Sequence, residues 1–178
     1  MYDVAVRDIP ERSLLCLQRA TTDQAEVFAL GKEFIAILRE HKLPKLDGPG
    51  GEVFLIYHGE VSADSDGPVE ICRPVPAGQA AQLAAAVPAL TLRTEPAHRE
   101  AYVHLGNATM TGPQWELLTQ SMQDWAADQQ QEQGDLGVRI TFWHLGPGAA
   151  ASVPDTDFAV PLRDSGDRRG GKDIRVSH

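Results

Sequence analysis

The two halves of this 178-residue sequence match one another at an offset of 86 to 87 residues, and the match recurs in five places. Asp8-Ile9-Pro10-Glu11-Arg12 lies over Thr94-Glu95-Pro96-Ala97-His98, and Leu14-Leu15-Cys16-Leu17 lies over Glu100-Ala101-Tyr102-Val103. Phe28, Ile35 and Leu38 fall over Trp115, Met122 and Trp125, spaced to share one face of a helix. Phe54-Leu55-Ile56-Tyr57-His58-Gly59 overlies Ile140-Thr141-Phe142-Trp143-His144-Leu145, and Val69-Glu70-Ile71-Cys72-Arg73-Pro74 overlies Thr156-Asp157-Phe158-Ala159-Val160-Pro161. Prolines and histidines in shared register predict one small unit used twice, so the fold must be one that two such units can build together.

Each half reads strand, strand, helix, strand, strand. The first helix is expected over 23–41, with Thr21, Thr22 or Asp23 as its cap, followed by a loop over 42–51 that holds Pro44, Pro49 and three glycines. The second is expected over 113–130, with Pro113 suited to the first turn and Gly134 ending a Gln-rich exit. The halves, 1–76 and 89–164, are joined by an Ala- and Gln-rich linker, 77–88, that fits a short helix and an irregular connection equally. The tail, 165–178, is rich in Gly and poor in apolar residues; it is expected to be mobile because it cannot offset its own ordering entropy.

Composition narrows the function. With 42% apolar residues, a chain of this length can bury roughly 70% of its unfolded surface, enough for a core without staples. Cys16 and Cys72 sit in apolar runs, outside any metal-type spacing, and read as buried thiols of a reducing compartment; no metal and no cofactor are expected. The sequence opens on an apolar/polar alternation without a basic and then apolar leader, and no apolar stretch approaches the roughly 18 residues of a membrane span, so a cytoplasmic protein is expected. The net charge of −9, with Arg168-Arg169 as the one basic cluster, disfavours a nucleic-acid surface.

Tyr57-His58-Gly59-Glu60-Val61, followed by Asp66-Gly67-Pro68-Val69-Glu70-Ile71-Cys72-Arg73-Pro74-Val75-Pro76, closely resembles the first-repeat signature of the gyrase-inhibitor-like (GyrI-like) effector-binding domains. Glu95-Pro96-Ala97-His98-Arg99-Glu100-Ala101-Tyr102-Val103-His104 and Phe158-Ala159-Val160-Pro161-Leu162 look like the matching second-repeat motifs. The resemblance implies an α+β fold over 1–164: a duplicated βαβββ unit with a pseudo-twofold axis, an antiparallel sheet with helices packed on it, and a ligand groove between the halves. It also implies a stand-alone member, since 178 residues leave no room for a helix-turn-helix before Asp3. Implied partners are a small hydrophobic or cationic ligand and, at the protein level, a transcriptional regulator or DNA gyrase. Neither DNA nor a membrane is an expected partner.

Strand alternation then selects candidate groove residues. Leu55 and Tyr57 share one face, as do Thr141 and Trp143, while Phe54, Ile56, Ile140 and Phe142 take the other; Glu70 lies with Cys72, and Asp157 with Ala159, opposite the core residues Ile71 and Phe158. Tyr102 and His104 on the neighbouring strand complete the ligand-binding set. An aromatic face beside a partly desolvated carboxylate suits a lipophilic cation. In related drug-binding members an acid on the last strand lines the pocket, and Asp157 stands there; the usual second glutamate, two residues before the hairpin aromatic, is Thr141 here.

Plainer readings stand beside these. Glu70 and Asp157 also fit solvated edge-strand acids, Tyr57 and Trp143 core aromatics, and Phe28, Trp115 and Trp125 helix-to-sheet core. His58 and His144 fit hydrogen-bonded structural histidines, and Cys72 a small apolar filler. Glu116 and the three histidines His58, His104 and His144 are the spare groups for proton transfer, and no GxSxG, Walker-type loop or HExxH is present. A binding module is therefore the leading expectation. Its alternatives are a small hydrolase of strained, cyclopropane-type electrophiles in the same groove and a gyrase-shielding protein with an acidic face.

Overall fold

A computed structural model describes residues 2–48, 50–59, 61–62, 65–106, 110–143 and 155–163, with 61, 62, 65 and 66 described in backbone only. His144, the glycine-bearing connection 145–149 and the tail 165–178 lie outside the described residues. In chain order the elements are β1 (Ala5–Ile9), β2 (Arg12–Ala20), α1 (Gln24–Glu40), β3 (Phe54–Tyr57), β4 (Val61–Ser62), β5 (Ser65–Asp66), β6 (Pro68–Val75), α2 (Ala80–Ala86), β7 (Thr91–Glu95), β8 (His98–Gly106), α3 (Gly112–Asp128), β9 (Val138–Phe142) and β10 (Thr156–Leu162). The result is an α+β protein.

Both long helices start where their capping chemistry places them. The Asp23 carboxylate accepts the Glu26 N–H at 2.9 Å, satisfying a donor that the first turn of α1 leaves open, and the Thr22 N–H, just ahead of the cap, donates to the Glu26 carboxylate at 2.7 Å. Thr111 and Gln114 form a capping box at α3, with Pro113 in the first turn. The linker holds α2, after a 3-10 turn at Ala77–Gln79.

The buried stripes are Val27, Leu30 and Phe34 on α1 and Leu118 and Met122 on α3. Phe28 departs from its expected core role: it is 73% exposed. The helix advances about 100° per residue, so once Val27 faces the sheet its neighbour is carried off the buried stripe. Trp115 and Trp125 do pack against the core beneath α3.

The main sheet is antiparallel in the order β1-β8-β10-β9-β3-β6-β2-β7, with β4 and β5 a separate pair. β3 and β9 meet at its middle, Leu55 opposite Ile140. The helices cover one face. Leu15, Leu17, Leu55, Val69 and Ile71 pack under α1 and α2, and Val103, Ile140, Phe158 and Val160 pack under α3.

The sheet curls strongly away from the helices. Arg139 on β9 and Glu95 on edge strand β7 stand four strand steps apart, about 19 Å in a flat sheet. Yet Arg139 Nη1 donates to Glu95 Oε2 at 2.8 Å across the uncovered face, which must therefore be concave.

Register corrects one expectation. Ile56, not Tyr57, stands opposite Glu70, and Leu55 and Tyr57 pair with Ile71 and Val69 on the helix-covered face. Phe54 and Ile56 take the concave face instead, although they were expected on the opposite side from Glu70. Thr141 opposes Asp157 as Ile56 opposes Glu70, a spacing of 85 rather than the 86 of the sequence match. In a strand, a slip of one residue exchanges the two faces.

Candidate functional site

The concave face collects the side chains that alternate away from the helices: Glu70 and Cys72 from β6, Tyr102 and His104 from β8, Thr141 from β9, Asp157 and Ala159 from β10. Trp143, just past β9, joins Thr141 in lining a pocket. Eight of the ten expected site residues therefore share this side of the sheet; Leu55 and Tyr57 do not. Cys72 lies in an apolar cluster with Leu14, Cys16, Phe54 and Ile56.

Among the described residues, four buried carboxylates on the strands dominate the face, and each is taken by arginine; Glu52, at the pocket, pairs with Lys45 instead. Asp157 accepts from Arg7 Nη1 at 2.7 Å and contacts His104 Nδ1 at 2.7 Å. Glu70 is held the same way: Arg93 donates through Nε at 2.9 Å and Nη2 at 2.6 Å, and His58 Nε2 lies 3.0 Å from Oε1. Glu100 receives Arg7 Nε at 2.7 Å, with His98 Nε2 at 3.3 Å. Glu95 is shared by Arg12, through Nε and Nη2, and by Arg139. A buried charge without such a partner would cost several kcal/mol, on the order of 3–5.

These contacts decide the protonation states. Burial pushes the Glu70 carboxyl up, but hydrogen bonds from Arg93 and His58 outweigh it and hold the acid below its ordinary range. Glu95 is likewise depressed against burial by the charges of Arg139 and Arg12. Glu100 falls furthest, to about 2, as His98 and Arg7 together overcome desolvation. Burial would lower Arg7 and Arg93, yet their carboxylate partners raise both. Glu70, Glu95 and Glu100 are thus anionic at neutral pH and internally neutralised.

Aromatic rings share the cations. The Arg7 guanidinium lies 4.1 Å from the Tyr102 ring centroid, and Arg12 lies 4.2 Å from that of Phe54. Between these two arginines is a pocket of about 80 Å³, closed by Glu52, Glu100, Thr141 and Trp143. That volume admits a small group; a drug-sized ligand needs roughly 300–1,000 Å³ and would have to extend along the open face or shift a side chain.

Sequence reasoning missed the arginines, together with Glu95 and Glu100 as site groups. One signal was present: Arg7 and Arg93 stand 86 apart, one residue before the first matched segment.

No family model matches this chain, and no curated protein does. Solved structures do. The EcmrR C-terminal domain aligns over 92% of this chain and 99% of its own, with a TM-score of 0.62 at 15% identity. The fold is shared. EcmrR in a DNA complex aligns at a TM-score of 0.66 and 14% identity over 92% of this chain, which spans 58% of that longer one. SAV2435 bound to tetraphenylphosphonium gives 0.54 at 11% identity over 94% and 98% of the two chains, and a hydrolase from Listeria innocua gives 0.54 at 10% over 91% and 92%. At such identities the likeness concerns architecture, and it agrees with the GyrI-like resemblance of the motifs. Among the described residues no helix is long and apolar enough to cross a membrane.

Proposed function

We propose that the chain is a cytoplasmic binding module for a hydrophobic small molecule, lipophilic cations included, taken up on the concave face beside Tyr102, His104, Thr141, Trp143 and Asp157. In this reading 1–164 is one domain made of two related repeats, and the ligand sits where they meet. The strand order supports the duplication: exchanging β1, β2, β3 and β6 for β7, β8, β9 and β10 reverses the order and leaves it unchanged.

The observation that carries the reading is Arg7. Its guanidinium rests on Tyr102 between the carboxylates of Glu100 and Asp157, so the face already holds a delocalised cation against a ring and two acids. A lipophilic cation asks for that same surround. It would compete with Arg7 for it, entering from the pocket at Thr141 and Trp143. That a protein of this fold is described as bound to tetraphenylphosphonium supports the choice of ligand class.

The test is a titration of the full chain with tetraphenylphosphonium, followed by tryptophan fluorescence. Quenching that disappears in Trp143→Phe, while Trp115 and Trp125 still report, is the expected result. A panel of lipophilic cations and neutral aromatics that yields neither quenching nor a thermal shift removes the proposal.

The His104–Asp157 pair favours a second reading, a small hydrolase of strained electrophiles. A buried carboxylate orients the ring through Nδ1, and the side chain remains 57% exposed, leaving Nε2 to polarise a water. Turnover of a strained electrophile that is lost in His104→Gln supports it; binding without turnover goes against it.

A further inference from the structure

Both cysteines of this chain meet on the concave face, outside the pocket and unused by the proposed binding. Cys16 on β2 and Cys72 on β6 are direct cross-strand partners, their Sγ atoms 3.1 Å apart. Glu70 lies two residues before Cys72 and so projects to the same side. The two sulfurs and a Glu70 oxygen all fall within 4.8 Å of one another. This convergence was not legible from spacing, because Cys16 and Cys72 are 56 residues apart and a strand pairing brings them together.

We propose that Cys16, Cys72 and Glu70 form a site for one thiophilic divalent cation of the Zn(II)–Cd(II) class, with His58 beside them as the neighbouring nitrogen donor. The donor set is the first argument. Two thiolates with a carboxylate or imidazole match the soft and borderline ligands such ions select. The second is size: metal–sulfur bonds of about 2.3 Å and metal–oxygen bonds of about 2.0–2.2 Å put tetrahedral ligands roughly 3.5–3.8 Å apart, which rotamer adjustment of the three side chains can reach.

The third argument is charge. Two thiols bind M(II) as two thiolates and release two protons to solvent, so the net charge of the site is the same before and after. Arg93 continues to neutralise Glu70 throughout. Glu70 Oε1 takes Arg93 Nη2 and His58, Oε2 takes Arg93 Nε, and the Cys16 thiol also hydrogen-bonds this carboxylate, so thiol and carboxylate are already in contact where a metal would replace the thiol proton. Access runs past His58 and Arg93, whose side chains are partly exposed above the buried Glu70.

The test uses Co(II) as a spectroscopic probe on the full chain, kept reduced by a phosphine. The expected result is a sulfur-to-cobalt charge-transfer band that saturates at one equivalent, shows tetrahedral cobalt bands and is displaced by Zn(II) or Cd(II). Cys16→Ser and Cys72→Ser each abolish it, and Glu70→Gln weakens binding roughly tenfold or more. Because a core cysteine variant can fail to fold, native mass spectrometry of the unaltered protein with Cd(II) provides a second readout: one added cadmium with the loss of two protons. Absence of the charge-transfer band from reduced protein, its persistence in Cys72→Ser, or an unchanged mass under Cd(II) each overturns the site. None of these readouts depends on whether tetraphenylphosphonium binds.

Discussion

Arg139 Nη1 donates to both oxygens of Glu95, at 2.9 and 2.8 Å, although their strands stand four places apart in the sheet. Arg12 joins the same carboxylate, and both guanidiniums lie over the face of Phe54. The curl of the sheet is thus closed across its concave side by one acid and two arginines rather than by apolar packing alone. Arg139 is further tied down by Nη2 donating to the Leu136 carbonyl at 2.8 Å.

Replacing Glu95 by Gln takes from the buried guanidiniums of Arg12 and Arg139 the one carboxylate that both of them hydrogen-bond. We expect a loss of about 3–5 kcal/mol, because breaking one partner of a buried pair costs more than the pair itself contributes. Urea denaturation measures it. A midpoint unchanged from the parent protein would show that the network is not needed to hold the curl.

Acid should destabilise the fold through Glu100, whose carboxyl is held at about 2 against an ordinary value of 4.5. Between those values the unfolded chain binds a proton that the folded chain does not, so stability rises with pH there. The contribution is complete above the unfolded value and is lost as pH falls from about 4.5 through 2, on the order of 3 kcal/mol at most. Chemical denaturation as a function of pH tests this, with Glu100→Gln expected to flatten the acid limb.

Removing Arg7 vacates the ring of Tyr102 and leaves the carboxylates of Glu100 and Asp157 with only their histidine contacts, His98 and His104, beside them. Arg7→Ala should lower the free protein's thermal midpoint and tighten tetraphenylphosphonium binding about tenfold, the worth of one partly desolvated cation–π contact. A neutral aromatic of similar size should gain little. If cation affinity falls instead, Arg7 contacts the guest rather than competing with it.

Gly137 adopts φ +85°, and a Cβ there would lie 2.6 Å from Ile56 Cγ2 and 3.1 Å from the Tyr57 carbonyl oxygen. Backbone strain and overlap act together in Gly137→Ala, for which about 1–3 kcal/mol of destabilisation is expected in a denaturant melt. The same change shifts the carbonyl beside Arg139, so loss of stability without change elsewhere would be surprising.

Phe28 presents a large apolar ring to solvent on α1. Phe28→Ser should change the thermal midpoint little, because no core contact is given up. A drop like that of a buried phenylalanine would place the ring in an interface between copies.

Local chemistry made the helices legible. Asp23 and Pro113 are start signals that act within one turn, so α1 falls inside the span expected at 23–41, and α3, Gly112–Asp128, begins one residue ahead of the span expected at 113–130. Glu70 and Asp157 were likewise found because strand alternation next to Ile71 and Phe158 is a local pattern. Faces across strands were another matter. The one-residue slip that sent Leu55 and Tyr57 under the helices depends on how β3 pairs with β6 and β9, and only the paired backbone sets that register.

Alternation and capping, read along the chain, were enough to predict the order of strands and helices and eight of the side chains that face the hollow of the sheet. The partners of those side chains came from folding itself. Arg7 meets Asp157 across 150 residues, and Cys16 meets Cys72 across 56, because antiparallel pairing and a tight curl bring remote strands to contact distance. Charges that looked free in the sequence are therefore neutralised in the fold, since a buried carboxylate persists only where its counter-ion is packed beside it.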